Sequence, residues 1–531
     1  SDRGLVAVNL SGGKGAQTLV SATGPDGSQL TQGVYLSWRA FEADMDGNHR
    51  LNTTFDVYCN GTPIATGIKE TNLVYEGGTA SDTFKVVGSN DGSIGVQSVD
   101  TQCWANQYLD LNLYCPGDET MPDGSTCSFS ANDMTVGDLD GDGQLELIVK
   151  WYPSNAKDNS GSGYTGNTYL DGYDVNWATG QVSMMWRINL GINIRSGAHY
   201  TQFQVWDYDG DGKAEIAVKT GDGTTSYKSL DGTANSLEMN DYVGEASDQV
   251  LTISVNHGTG NFDYRASNGY VIIPEGHEYF SIFNGEDGTK AAADVPYEPF
   301  GGNATTWGDS SDGYRNRIDR FLSATAYLDG ETPFAVFCRG YYTRTCLTAY
   351  YMKDTDGDGT GDTIDIYWKF DTKDAGSQYE AQGNHGLSVN DVDNDGRDEI
   401  IYGALTVDHD GTVKYSTGLG HGDAMHVSDW IPQNPGLEIM CVHEHDDAAY
   451  HVEIHDAETG EILMGYWTGR DTGRGVAADI DPTSVGGEWW AIAGPNWTPA
   501  EGEDEPSWDS TRGVVYSAAS SLNNLIALAE A

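Results

Sequence analysis

Three nine-residue phrases in this chain place carboxylates at positions 1, 3, 5 and 9 around a glycine at position 6. They are Asp138-Leu-Asp140-Gly-Asp142-Gly-Gln-Leu-Glu146, Asp207-Tyr-Asp209-Gly-Asp211-Gly-Lys-Ala-Glu215 and Asp391-Val-Asp393-Asn-Asp395-Gly-Arg-Asp-Glu399. A hard divalent cation suits this pattern, because Ca2+ takes about six to eight oxygens and a tight glycine turn folds alternate side chains onto one point. In an EF-hand the loop runs on to a more distant bidentate glutamate and sits between helices. Here the last acid leads into Leu-Ile-Val, Ile-Ala-Val or Ile-Ile-Tyr, apolar runs that predict strands. Calcium loops spliced between strands constrain the metal and the architecture together.

A longer theme repeats around these loops: apolar residues, an acidic glycine loop, then an apolar strand. Its copies run from Val136 to Lys150, Val205 to Lys219, Ala326 to Arg339, Val389 to Tyr402, Val427 to Val442 and Ala477 to Ile492. Their spacing varies and helical periodicity is weak. A β-propeller, whose blades of about four strands tolerate rim insertions, is the expected all-β architecture, with a β-solenoid as the alternative. The stretch 221–320 is the largest insertion and is expected to form loops over one face. Weaker loops occur at Asp354-x-Asp356-x-Asp358 and at Asp479-x-Asp481 with Glu488.

Residues 1–105 read differently. Val34–Arg39, Thr54–Tyr58 and Thr83–Val87 alternate apolar and polar residues between Gly, Asn and Asp turns, and Trp38 with Tyr58-Cys-Asn-Gly61 suggests a fibronectin-type β-sandwich. The expected division is a sandwich-like module at 1–105 and a calcium-stapled propeller at 106–531.

With 28 Lys+Arg against 80 Asp+Glu the formal net charge is −52, which argues against nucleic acid and anionic membranes as partners. No apolar run is long enough to span a bilayer. Seven cysteines form no Cys-x-x-Cys pair, so zinc is not indicated; Cys115 and Cys127, and Cys338 and Cys346, are close enough in sequence to pair. Together with loops suited to extracellular calcium, this composition leads us to expect a secreted protein.

Several longer motifs resemble rhamnogalacturonan lyases of polysaccharide lyase family 11. They include Ser130-Ala-Asn132-Asp133-x-x-Val136-Gly-Asp138, Lys150-Trp151-x-Pro153-Ser154-Asn155, Gly197-Ala-His199-Tyr-Thr-Gln202 and Arg339-Gly-Tyr-Tyr342. Gln382-Gly-Asn-His385, Gly418-Leu-Gly-His421-Gly-Asp423, His443-Glu444 and Gly473-Arg474-Gly-x-Ala-Ala-Asp479 continue the series, so the match covers about residues 1–490. The resemblance implies an eight-bladed propeller carrying Ca2+ in its blades. It also implies a substrate, the anionic polysaccharide rhamnogalacturonan I, cleaved between galacturonate and rhamnose by β-elimination.

The resemblance implies a cleft calcium site at His385, His421, Asp423 and Glu444. Imidazole suits softer metals, so the residues alone read as structural histidines between blades, and a transition metal is the rival occupant. Arg474 is expected to grip the galacturonate carboxylate or stabilise the charge formed from it, against a buried Arg paired with an acid such as Asp479. Asn132 is expected to bind substrate, against a turn Asn capping its own backbone. Tyr152 stands at a cleft position where family members commonly carry Asp. The family's last blade and a Lys and Tyr of its active site are expected beyond Ala531, so the chain reads as a monomer, or as a truncated form associated with a separate C-terminal fragment. Besides a calcium-dependent lyase, a non-catalytic propeller that binds pectin or a protein fits these features. A hydrolase fits less well, because no pair of acids stands apart from the calcium loops.

Overall fold

The computed structural model describes residues 3–12, 22–23, 29–30, 32–45, 51–90, 93–158, 161–244, 252–255, 258–261, 277–298, 307, 315–469, 471–480, 486–492, 512–517 and 527–530. They form an all-β protein with only short helical turns.

The N-terminal residues build two antiparallel sheets. Val6–Asn9, Val34–Ser37 and Asn72–Tyr75 make one; Thr54–Cys59, Thr62–Ile68, Thr83–Asn90, Ser93–Gln97 and Thr101–Gln102 make the other. Thr54–Cys59 alternates half-buried and buried residues along its length, as a strand with one face on a core must. Phe55, Val57, Phe84 and Val86 meet Ala7, Val34, Leu36 and Trp38 of the opposite sheet in one core.

Each of the six repeat copies is the hairpin joining the first two strands of a separate antiparallel sheet. The first strands are Phe129–Gly137, Phe203–Trp206, Ser323–Ala326, Ser388–Asn390, Ala424–Ser428 and Gly475–Ala478. The second are Glu146–Pro153, Glu215–Gly221, Phe334–Arg339, Glu399–Ile401, Glu438–Val442 and Glu488–Ile492. Five of these sheets have four strands, and the first has six. First strands of neighbouring sheets touch: the first against the second, the second against the third, the third against the fourth, and the fifth against the sixth. Just ahead of the fourth and fifth, Asn384 and Gly422 form a parallel bridge.

Second strands of the first five sheets are buried throughout except at Tyr152. That explains their unbroken apolar runs, because side chains alternate between two neighbouring sheets and both faces are dry. Ile216 and Val218 pack on the first sheet while Ala217 packs on the third. Ala335 and Phe337 face the second sheet, Val336 and Cys338 the fourth. Ile439 and Cys441 face the fourth sheet, and Met440 and Val442 the sixth. Among the described residues no strand joins the last sheet to the first.

Two expectations are corrected. The stretch 221–320 is not loop alone: Thr225–Ser229 and Leu237–Tyr242 extend the first sheet, and Glu278–Asn284 and Val295–Pro296 complete the second. The two proposed cysteine pairs are not formed, since all seven thiols are free; six are buried and only Cys115 is exposed, so they serve as small apolar residues. No helix among the described residues is long and apolar enough to cross a membrane.

One ion cluster locks the second sheet to the third. Glu278 lies 2.8 Å from both Lys219 and Arg339, and all three side chains are buried. Burial alone would raise the Glu278 carboxyl, but the charges and hydrogen bonds of Arg339 and Lys219 prevail and hold it at about 2, below its ordinary 4.5. Its contribution to stability is therefore complete above about pH 4.5 and is lost as pH falls toward 2. Glu278→Gln leaves buried Lys219 without its counter-charge and Arg339 with Asp319 alone at 3.8 Å, and is expected to cost about 3–5 kcal/mol in denaturant unfolding at neutral pH.

Candidate active site and metal cluster

The acidic loops of the repeat copies leave the C-terminal end of a first strand, so residues before first strands and after second strands gather at the opposite end. His385, His421, Asp423 and Arg474 precede first strands there, and Glu444 follows the second strand of the fifth sheet. The topology thereby collects residues far apart in sequence into one cluster. Ligand atoms of His385, His421, Asp423 and Glu444 all lie within 4.8 Å of one another.

The histidine Nε2 atoms stand 3.5 Å (His385) and 3.7 Å (His421) from Asp423 Oδ1, and His421 Nε2 is 4.0 Å from Glu444 Oε1. His421 is 1% exposed, and its Nδ1 faces the Gly383 carbonyl at 2.7 Å. That bond places the proton on Nδ1 and leaves Nε2 as the acceptor, the arrangement of a metal-binding histidine. His421 Nε2 and Asp423 Oδ1 are buried without a hydrogen-bond partner, as donors aimed at a cation would be. Two imidazole nitrogens and two carboxylates thus fit a divalent ion.

Electrostatics agree with that donor set. Burial, then the nearby His385, push His421 down to about 3, and burial lowers His385, so both rings are neutral near pH 7. Burial, then the hydrogen bond and charge of Asp423, raise Glu444 to about 7. Around the cluster, Tyr341 stacks on His421 at 5.3 Å, and the Tyr342 hydroxyl lies 3.1 Å from His385 Nε2. Arg317 stands 4.7 Å over the Tyr342 ring, His199 packs edge-on to His385 at 5.8 Å, and Arg320 donates to Asp158 at 3.1 Å.

Arg474 joins the cluster through Asp423 Oδ2 at 3.3 Å, with its side chain 75% exposed. It is not the buried structural arginine of the alternative reading, and it is free to meet a ligand. Asn132 is exposed in a bulge of the first sheet's inner strand between Ala131 and Met134, rather than in a turn. Tyr152 lies across from Ser130 on the next strand; burial, then Asp158 and Asp133, raise its hydroxyl. These two stand on the first sheet apart from the histidine cluster, and Asp158, Arg320 and Tyr342 lie between. Neither Lys150 nor Lys219 is a free base, since Lys150 pairs with Asp133 and Lys219 with Glu278. Arg317, Arg320, Asp158 and His199 carry no spacing signal; only the Arg-Gly-Tyr-Tyr and Gly-Ala-His-Tyr runs hinted at this end of the sheets.

In the acidic loops, Asp138, Asp140 and Glu146 gather within 4.8 Å, as do Asp207, Asp209 and Glu215. Asp142 and Asp211 accept from the backbone of Gln144 and Lys213 at 2.7 Å. The third loop differs. Lys414 Nζ lies 2.6 Å from Asp393 and 3.7 Å from Glu399, and the gathered set is Asp395, Glu399 and His409, with Asp391 accepting from Gly396 N–H at 2.9 Å. The loop carrying Asp354, Asp356 and Asp358 joins the third and fourth strands of its sheet, not the first two. It packs on the second loop, where Gly361 N–H donates to the Asp209 carbonyl at 2.8 Å. Asp479 is exposed after the sixth sheet's first strand; Asp481 lies outside the described residues.

Two cavities lie elsewhere. One of ≈ 1600 Å³ separates the N-terminal sheets from the first sheet beside Phe41, Trp104 and Trp177. Another of ≈ 860 Å³ is lined by inner strands, including Met134, Trp206 and Thr325. A polymer needs an open cleft, so the histidine cluster is assigned on its chemistry.

Comparison with known proteins bears on this site. Residues 108–512 match the model of rhamnogalacturonan lyase family 11, C-terminal domain, and residues 24–104 that of the rhamnogalacturonan I lyases beta-sheet domain. The chain is 43% identical over 492 residues to the rhamnogalacturonan endolyase YesW of Bacillus subtilis, covering 92% of this chain and 68% of that one. It is 45% identical over 473 residues to the rhamnogalacturonan exolyase YesX of the same organism, covering 88% and 69%. The crystal structure of YesX superposes with a TM-score of 0.74 at 42% identity, covering 99% of this chain and 74% of that one. A Bacillus licheniformis rhamnogalacturonan lyase structure gives 0.73 at 42%, covering 98% and 74%.

Since the Asp423 charge helps raise Glu444, Asp423→Asn is expected to shift Glu444 titration downward from about 7 in cation-free protein. Carboxyl-carbon NMR across pH 4–9, with Glu444→Gln to assign the signal, measures the shift.

Proposed function

The chain belongs to rhamnogalacturonan lyase family 11 and is a polysaccharide lyase, and from that premise we propose that it is a secreted, Ca2+-dependent enzyme cleaving the galacturonate–rhamnose bond of rhamnogalacturonan I. The observation that carries the reading is the cluster of His385, His421, Asp423 and Glu444 beside an exposed Arg474.

Elimination passes the galacturonate C5 proton, which lies next to a carboxylate and is only weakly acidic, to a general base. The C5 electron pair then forms a double bond to C4, the bond from C4 to the glycosidic oxygen breaks, and that oxygen leaves with the rhamnose after taking up a proton. Ca2+ bound by the four residues would neutralise the substrate carboxylate and make that proton easier to remove. Arg474 pairs with the same carboxylate and stabilises the charge spread into it as the proton leaves. The Gly383 carbonyl fixes His421. Exposed Asn132 and half-buried Tyr152 bind sugar hydroxyls further along the cleft.

We further propose that the six sheets are blades of an eight-bladed propeller preceded at residues 1–105 by a fibronectin-type sandwich. Contact between successive inner strands and the TM-scores to solved lyases support this. The loops at Asp138–Glu146 and Asp207–Glu215 hold structural Ca2+, and an acidic protein with such loops suits an extracellular setting.

His421→Ala is expected to lower kcat by about 100-fold or more, the scale of losing an electrostatic transition-state contact. Release of unsaturated uronate, followed by ultraviolet absorbance, measures it; wild-type turnover in that variant would remove the site assignment. The structural ions carry a pH signature. Burial and neighbouring acids raise Glu146 to about 7 and Glu215 to about 9, above their ordinary 4.5. Without a cation, stability therefore falls as pH rises from about 4.5 through those values, and a bound cation reverses the loss. Ca2+ is expected to raise Tm more at pH 8 than at pH 5 in calorimetry of chelator-treated protein; an equal rise at both would contradict the assignment.

A further inference from the structure

His443 is fully buried at the end of the fifth sheet's second strand, and it touches three segments that carry the candidate site. Its ring Nδ1 lies 3.0 Å from the carbonyl of Gly420, the residue before His421. Its chain continues into Glu444, whose N–H donates to the His421 carbonyl at 3.0 Å. Its own carbonyl accepts from Thr472 N–H at 3.1 Å, two residues before Arg474.

On the other side of the ring, His443 Nε2 lies 3.3 Å from Glu453 Oε1. The ring is thereby held at two points, Nδ1 toward a carbonyl and Nε2 toward a carboxylate. Glu453 is 1% exposed and stands in register across from Cys441 on the third strand. It also takes His455 Nδ1 at 3.0 Å to each oxygen, so the carboxylate is anchored between two buried rings.

We infer that Glu453 is a positioning residue for the lyase reaction, acting through His443 to hold the segments of His421, Glu444 and Arg474 in register. The inference rests on the reading of those three residues as the working site. Partners one layer behind a metal ligand set its orientation, and a displacement of about 1 Å at a reacting centre is enough to cost about 100-fold. Glu453→Gln keeps the shape but offers one acceptor and one donor to two ring nitrogens that face a carboxylate in the wild type, so the pair of contacts is not kept.

The test compares full-length wild type with Glu453→Gln and His455→Gln, the latter disturbing the same carboxylate without contact to Gly420. In Glu453→Gln, kcat is expected to fall about 10–100-fold with KM within about twofold, and the His421 ring resonance of 13C-labelled histidine to move. In His455→Gln, kcat is expected to stay within about threefold. Folded Glu453→Gln with wild-type kcat and an unmoved His421 signal would overturn the inference, as would an equal loss in His455→Gln. Glu453→Asp, which withdraws the carboxylate from His443, replaces Glu453→Gln if that variant is insoluble, with the same expectations. Wild-type turnover in His421→Ala would instead refute the site reading, and the NMR shift then decides the positioning role alone. Cys441, His443 and Glu453 have ligand atoms within 4.8 Å. Stoichiometric zinc found by metal analysis and lost in Cys441→Ala would also overturn the inference.

Discussion

The structure depends on a buried glutamate at the start of a second strand. Glu146, Glu215, Glu399, Glu438 and Glu488 each reach back to accept a loop N–H, from Leu139, Tyr208, Val392, Ile431 and Ile480 at 2.6–3.1 Å. Each bond closes its hairpin and fixes where the buried strand begins. Burial raises the carboxyl in four of the five, so the device carries an electrostatic cost that the loop must offset. In sheets one and two the gathered acids raise it further, a cost that the proposed cation would offset. At Glu399 the chain contributes an ammonium of its own, Lys414.

Because the loops occupy one end of every sheet, the other end is left for chemistry. Successive loops are tied to each other there: Ala214 N–H donates to the Asp138 carbonyl at 2.7 Å and Asp398 N–H to the Tyr327 carbonyl at 3.1 Å. The opposite end is tied as well, by the Asn384–Gly422 bridge and by Thr472 N–H on the His443 carbonyl at 3.1 Å, and it carries His199, Arg320, Tyr342, His385, His421 and Arg474. A formal charge of −52 would repel a polyuronate. At this end Arg320 pairs with Asp158 and the exposed Arg474 with Asp423, so its acids are partly balanced by cations.

What the sequence made legible follows from periodicity. Every repeat copy proved to be a first hairpin, because an inner strand, a turn and a doubly buried strand leave the same polar-to-apolar signature each time. The stretch 221–320 was misread because Thr225–Ser229 is almost wholly polar in sequence and Leu237–Tyr242, the edge strand beside it, is half-exposed with little apolar pattern. The Cys338–Cys346 proposal failed for a reason of register: Cys338 faces Leu347, and Cys346 faces Arg339. At the site, His385, His421, Asp423 and Glu444 were legible only through resemblance. Their donor atoms converge from three segments, and no spacing rule encodes a convergence that topology creates. Arg320 and Asp158 were invisible for the same reason.

The two kinds of acid cluster also solve opposite problems. In a calcium loop, carboxylates come from one short segment, so a bound ion organises the turn that holds it. In the cleft, His421 and Glu444 stand at the two open ends of one hairpin and His385 comes from the sheet before it, so no local turn sets their separation. Their geometry has to come from behind, from Gly383 on His421 and from the fully buried His443–Glu453 pair on the strand ends. On the proposed reading, two imidazoles with Asp423 and Glu444 held this way would hold a cation without closing around it. That leaves coordination positions open toward the cleft, which a substrate carboxylate requires and a closed structural loop does not provide.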